Sequence, residues 1–191
     1  MIRSDYLFDV DIDYDREKLL SEAKSYSPSL WNYYFFDNLK ENVEEVNGHF
    51  QPFSKRLNYN DVSNINPEEI YFKNIYVNKS ETNEEVNKVI LQLEDMFCIT
   101  ENDYEILFLE FFRPLNWIHY DANTALCIFL GDFSPICFYE KNEKNDYFYK
   151  CALLNGSKKK HRGISLDNRL YLRIPIKSKT YEECKKKYFS N

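Results

Sequence analysis

Residues 104–130 read YEILFLEFFRPLNWIHYDANTALCIFL, and the way this stretch divides decides the fold. It begins and ends with runs rich in aromatic and branched residues, 104–112 (YEILFLEFF) and 124–130 (TALCIFL), both of strand composition. The same texture continues in 136–141 (ICFYEK), 147–154 (YFYKCALL), 161–166 (HRGISL) and 169–176 (RLYLRIPI). Turn residues separate these runs: Gly131-Asp132, Asn142 to Asn145, Asn155-Gly156-Ser157 and Asp167-Asn168. Many short strands at close spacing predict a sandwich, jelly roll or barrel.

Upstream the pattern is mixed. Residues 15–25 (DREKLLSEAKS) have helical spacing, with Leu19, Leu20 and Ala23 on one side. A second helix is marked by Thr82 with Glu85 three places on, a capping box. Val86, Val89, Ile90, Leu93 and Phe97 then recur at helical period, so the helix runs to about Met96. Between the helices, 70–77 (IYFKNIYV) reads as a strand and 50–69 as irregular. The expected class is therefore α+β and mainly β, a jelly-roll core in the C-terminal half with the N-terminal helices laid on one sheet. At 191 residues a single domain is expected. Its parts are a helical and mixed segment 1–103, a β core 104–176 and a tail 177–191. No internal repeat divides it.

Composition excludes several function classes. Lys and Arg number 25 against 31 Asp and Glu, a net charge of −6, which counts against nucleic acid and anionic membrane as partners. No apolar run approaches bilayer length, and 1–13 alternates acidic and apolar residues without a signal-peptide core. Cys98, Cys127, Cys137, Cys151 and Cys184 are odd in number, lack CxxC spacing and lie partly in strand-like runs. They are expected to be reduced, mostly buried thiols of a cytoplasmic protein. Gly-rich phosphate loops and GxSxG are absent from the sequence.

The chain has 3 histidines, and two of them enter one constellation: His119-Tyr120-Asp121, then His161, then Arg169. With 31 acids in 191 residues, an isolated HxD is a common accident. Its place, between two strands and ahead of a histidine opening a later one, is more specific. Residues i and i+2 of extended chain project to the same side, so His119 and Asp121 can reach one ion together. Two imidazoles and a carboxylate form the ligand set that holds non-haem Fe(II) on one face. An arginine beyond the second His can grip a carboxylate by a two-pronged hydrogen bond. Other features read more plainly: the basic run 158–162 as a solvated loop, Trp117, Tyr120 and the aromatic cluster 31–36 as packing. His49 has no acidic partner at ligand spacing.

These residues resemble the iron- and 2-oxoglutarate-dependent oxygenases. The resemblance runs through 113–121 (RPLNWIHYD), 125–130, 135–140, Leu153-Leu154-Asn155, His161 and 169–176, covering roughly 104–176. It implies a double-stranded β-helix with Fe(II) on His119, Asp121 and His161. 2-Oxoglutarate is the implied cosubstrate, its distal carboxylate on Arg169 or, in reserve, Arg173. Oxidation by O2, with succinate and CO2 released, would act on a small molecule or an amino-acid-type side chain. One departure is that Arg162 stands between His161 and Gly163, where the family often has glycine directly. The arginine depends on turn length. If Asp167-Asn168 were a two-residue hairpin turn, Arg169 would point away from His161. A three-residue connection or bulge would put His161, Arg169, Tyr171 and Arg173 on one side. Two rival readings remain: a non-catalytic β-sandwich or jelly-roll binding or structural protein, and a cupin-like metal enzyme that does not use 2-oxoglutarate.

Overall fold

The run TALCIF at Thr124–Phe129 is buried at every position, so both of its faces must be covered. The computed structural model, which describes residues 4–35, 44–46, 49–51, 55–57, 70–112, 120–131, 134–140, 143–163 and 169–190, shows what covers them. Its strands, in chain order, begin with β1 (Leu7–Asp9), β2 (Asn32–Phe35), β3 (Glu44–Val46), β4 (His49–Gln51), β5 (Lys55–Leu57) and β6 (Ile70–Tyr76). They continue with β7 (Leu107–Phe111), β8 (Thr124–Phe129), β9 (Ser134–Glu140), β10 (Glu143–Tyr149), β11 (Cys151–Leu154), β12 (Lys160–Gly163) and β13 (Arg169–Ile176). The helices are α1 (Arg16–Ser25), α2 (Glu84–Phe97) and α3 (Tyr181–Ser190).

All described pairings are antiparallel. A large sheet of eight strands has the order β1-β11-β8-β13-β7-β6-β2-β5, and a small sheet of three has the order β10-β9-β12. A separate two-stranded ribbon pairs β3 with β4. Among the described residues the protein is thus mainly β with three helices, an architecture consistent with a β-sandwich.

Strand alternation sorts the side chains into two cores. Leu126 and Ile128 of β8, Leu172 and Ile174 of β13 and Phe108 of β7 face the helices. There they meet Leu19 and Ala23 of α1, the stripe Val86, Val89, Ile90, Leu93 and Phe97 of α2, and Tyr181 and Cys184 of α3. The intervening residues face the small sheet: Ala125, Cys127 and Phe129 of β8 and Tyr171 of β13 pack against Ile136 and Phe138 of β9.

Several local expectations shift. The N-cap of α2 is Asn83, whose side chain accepts from the Glu85 and Val86 amides at 2.9 and 3.0 Å. Thr82 instead bonds the Lys79 carbonyl, and Glu85 reaches across to accept from the Asp15 amide at 2.6 Å. Asp15 in turn caps α1. The helix α2 stops where Cys98 turns left-handed at φ 50° and donates to the Glu94 and Asp95 carbonyls.

The run 147–154 is two strands, not one. At Lys150 the chain leaves the small sheet, where β10 pairs β9, and enters the large one, where β11 pairs β8. Either half alone has strand composition, so the switch leaves no local mark. Residues 7–9 form a strand on the edge of the large sheet, β5 and the end of β4 fall within the region expected to be irregular, and the tail contains α3. All five cysteines are free, with only Cys98 exposed. Among the described residues no helix is long and apolar enough to cross a membrane.

Candidate metal centre

His161 stands in β12 opposite Phe138 of β9, and its ring lies 5.4 Å from the Phe138 ring, inside the space between the sheets. Asp121 lies just before β8, in the other sheet. The two meet there: His161 Nε2 is 3.3 Å from Asp121 Oδ2. On the other side of the imidazole, Nδ1 is 3.0 Å from the Lys159 carbonyl. A carbonyl only accepts, so this bond puts a ring proton on Nδ1 and turns the Nε2 edge toward the carboxylate. An imidazole anchored through Nδ1 in this way presents Nε2 as its metal-binding atom.

Arg173 completes the cluster. It sits opposite Cys127 of β8, and its Nη2 lies 2.8 Å from Asp121 Oδ2. Burial works against the Arg173 charge, but Asp121, helped by Cys127, more than offsets it and holds the guanidinium pKa above its ordinary value. The pair keeps Asp121 ionised and oriented. Burial also pushes the Cys127 thiol up to about 12, against the pull of Arg173, so it remains a neutral thiol at physiological pH.

Arg169 has a different setting. It opens β13, and only 2% of it is exposed. Its guanidinium lies 5.0 Å from the Phe111 ring centre and 5.9 Å from that of Tyr171, with Nη1 3.4 Å from the Tyr171 hydroxyl. Nε and Nη2 are buried without a hydrogen-bond partner, and no described acid pairs with it. A buried cation with unused donors is costly unless an anion completes it. The aromatic wall extends outward along one row of the large sheet, Arg169 opposite Phe111, Phe111 opposite Phe72 and Phe72 opposite Tyr34. The Phe72 and Tyr34 rings stack at 4.2 Å.

Two glycines leave room for these groups. A Cβ at Gly163 would collide with Arg169 Nη1 and stand 2.7 Å from Cζ. A Cβ at Gly156 would collide with Asp121 Oδ2 and stand 2.9 Å from His161 Cε1.

Asp121, His161, Arg169, Tyr171 and Arg173 therefore share the inter-sheet space. His119, like Trp117, lies outside the described residues, and among the described residues no three of His, Cys, Asp and Glu gather around one point. The hairpin premise behind the choice of arginine does not hold. β12 and β13 belong to different sheets, so turn register does not set which way Arg169 points. Trp31 and Tyr33 pack in the helix-side core. The basic run is partly engaged: Lys159 pairs with Glu140 at 3.1 Å and Lys160 lies 5.7 Å from the Tyr120 ring. The supporting groups Gly156, Gly163 and the Lys159 carbonyl had no sequence signal beyond an unremarkable turn.

No family model matches the chain, and no curated protein does. Among solved structures, one similar chain is a conserved protein of unknown function from Streptococcus pyogenes, 13% identical, covering 41% of this chain and 68% of that one, with a TM-score of 0.32. Another is vicilin from Corylus avellana (hazelnut), 9% identical, covering 61% of this chain and 32% of the vicilin, with a TM-score of 0.36. A third is an oxidoreductase of the 2OG-Fe(II) oxygenase family from Burkholderia pseudomallei, 14% identical, covering 61% and 71%, with a TM-score of 0.39.

Proposed function

We propose that the chain is a non-haem Fe(II)- and 2-oxoglutarate-dependent oxygenase with a double-stranded β-helix core, acting on a small molecule or an amino-acid-type side chain. The observation that carries this is the convergence of Asp121 and His161 at 3.3 Å in the same inter-sheet space as the buried Arg169, whose Nε and Nη2 have no hydrogen-bond partner. The strand order supports the fold: β7, β8, β11 and β13 lie side by side in one sheet, while β9, β10 and β12 form the facing one.

In this reading His161 and Asp121, with His119, hold the iron, which when bound supplies O2 activation coupled to decarboxylation of the cosubstrate. Arg173 keeps Asp121 charged and aimed. Because Arg173 is already committed to Asp121, Arg169 takes the distal carboxylate of 2-oxoglutarate through Nε and Nη2. The Tyr171 hydroxyl lies beside it, and Phe111 excludes water from the pair. A charge-assisted bond in such a setting is strong because both partners are desolvated.

Anaerobic titration with Fe(II) and 2-oxoglutarate tests the reading. A weak visible charge-transfer band is expected in the wild type and not in His161→Ala or Asp121→Ala. Arg169→Ala should weaken 2-oxoglutarate binding by about 2–5 kcal/mol while leaving metal affinity nearly unchanged. Arg173→Ala should chiefly weaken the metal. Metal binding without succinate release, even in the absence of substrate, would favour the cupin-like alternative and overturn the cosubstrate.

A further inference from the structure

The two candidate ligands hang from one turn. The Asp121 amide donates to the Gly156 carbonyl at 2.9 Å, and His161 Nδ1 donates to the Lys159 carbonyl at 3.0 Å. Both carbonyls belong to the connection between β11 and β12. That turn closes on Asn155, whose carbonyl accepts from the Lys158 and Lys159 amides at 3.4 and 3.0 Å.

Asn155 is itself bolted to a distant part of the chain. It is 3% exposed, and it makes two bonds to the N-terminal segment, both at 2.8 Å. Its amide N–H donates to the Tyr6 carbonyl and its Nδ2 to the Asp5 carbonyl. The C-terminal helix α3 grips the same segment from outside. The Tyr181 hydroxyl donates to the Ser4 carbonyl at 2.7 Å, and Lys185 Nζ reaches the Ser4 carbonyl and Asp5 Oδ1, both at 2.9 Å. Further along, the Tyr6 hydroxyl donates to Glu140 Oε2 at 2.5 Å, while Glu140 Oε1 pairs with Lys159 Nζ at 3.1 Å. The turn is thus held at its first residue and at its last.

We infer that Asn155 is a positioning residue for the Asp121–His161 pair. Resting on the metal reading above, the inference assigns to the Asn155 side chain the task of placing the Lys159 carbonyl, and through it the proton of His161 on Nδ1. The contacts of α3 with Ser4 and Asp5 make the C-terminal helix an outer brace of the same support. Removing such outer supports typically lowers metal affinity by about 10–100-fold.

The test uses the full chain and reads the imidazole first, without metal. Long-range 1H–15N spectra resolve the ring nitrogens of His49, His119 and His161, and His161→Ala assigns the signal of interest. At a pH above the imidazole range, wild-type His161 should carry its proton on Nδ1, and Asn155→Ala should convert it to a mixture of tautomers. Titration with Mn(II) followed by EPR should then show Kd raised about 10–100-fold in Asn155→Ala. Asn83→Ala, which removes the cap of α2 and lies far from the turn in sequence, should lower stability and leave both readouts alone. A wild-type His161 tautomer together with a wild-type Mn(II) Kd in Asn155→Ala would overturn the proposal. If Asn155→Ala does not fold, the double variant Tyr181→Phe/Lys185→Met decides: a shift of both readouts in the same direction supports the proposal, and no shift in either overturns it. Should wild type and His161→Ala bind Mn(II) alike, the metal reading fails, while the tautomer still decides whether Asn155 governs the imidazole.

Discussion

Gly163 decides where Arg169 lies. A guanidinium can lie flat on a strand only where that strand has no side chain, and a Cβ at this position would occupy the place of Nη1. Gly163→Ala should therefore displace Arg169 and cost about 1–3 kcal/mol of stability, the usual range for overpacking. It should also weaken 2-oxoglutarate binding as much as Arg169→Ala does. Urea denaturation and cosubstrate titration check the two parts separately. Unchanged binding would mean that Arg169 can serve from another rotamer. The residue types at the site were legible in the sequence, since histidine, aspartate and arginine announce their chemistry wherever they stand. Their supports were not, because a backbone carbonyl such as that of Lys159 or a missing side chain such as that of Gly156 has no signature of its own.

The helix α2 shows how well an element can be read from local pattern. Its buried stripe, Val86, Val89, Ile90, Leu93 and Phe97, is the one its spacing predicts, because a period near 3.6 makes a single apolar face. Its cap moved by one residue. Thr82 and Asn83 are both good caps, and the choice fell to Asn83, whose Oδ1 bonds the Glu85 and Val86 amides while its own amide is held by Glu22. In urea denaturation Asn83→Ala should cost about 1 kcal/mol. Leu93→Ala, at a fully buried position, should cost about 2–5 kcal/mol. Leu91→Ala, with Leu91 61% exposed, should change stability by less than about 0.5 kcal/mol. The strands were less legible as elements. The run 147–154 looked continuous because strand composition says nothing about which sheet a strand joins.

At the scale of the molecule, the packing of α1 against α2 places an acid where water does not reach. Glu22 of α1 is 5% exposed, accepts at Oε1 from the Asn83 amide and the Tyr26 hydroxyl, and has a buried Oε2 without a hydrogen-bond partner. Burial raises its pKa above 4.5 despite both donors. A raised carboxyl pKa favours the protonated fold, so its stabilisation is complete below 4.5 and is lost as pH rises through the folded value. Wild-type stability, measured by urea denaturation across this range, should carry that loss. Glu22→Gln, which keeps the acceptor and puts an uncharged amide at the Oε2 position, should not, and should be the more stable protein at neutral pH. Glu94 has the opposite slope, since Lys79 and Tyr104 outweigh burial and lower its pKa. It is present in both proteins, so their difference isolates Glu22.

By itself the sequence determined where α1, α2 and most strands of the C-terminal half fall, that the chain is mainly β, and which residues bear ligand and anion-binding chemistry. Periodicity, turn residues and side-chain type are local properties, so they can be read one window at a time. Only the tertiary structure decided that residues 7–9 and 70–76 join the large sheet, that β12 and β13 part company, and that Asp121 meets His161. It alone showed that Arg173 is spent on Asp121 while Arg169 is buried with donors to spare. Each of these depends on a partner distant in the chain, and burial and pairing exist only once both partners are in place.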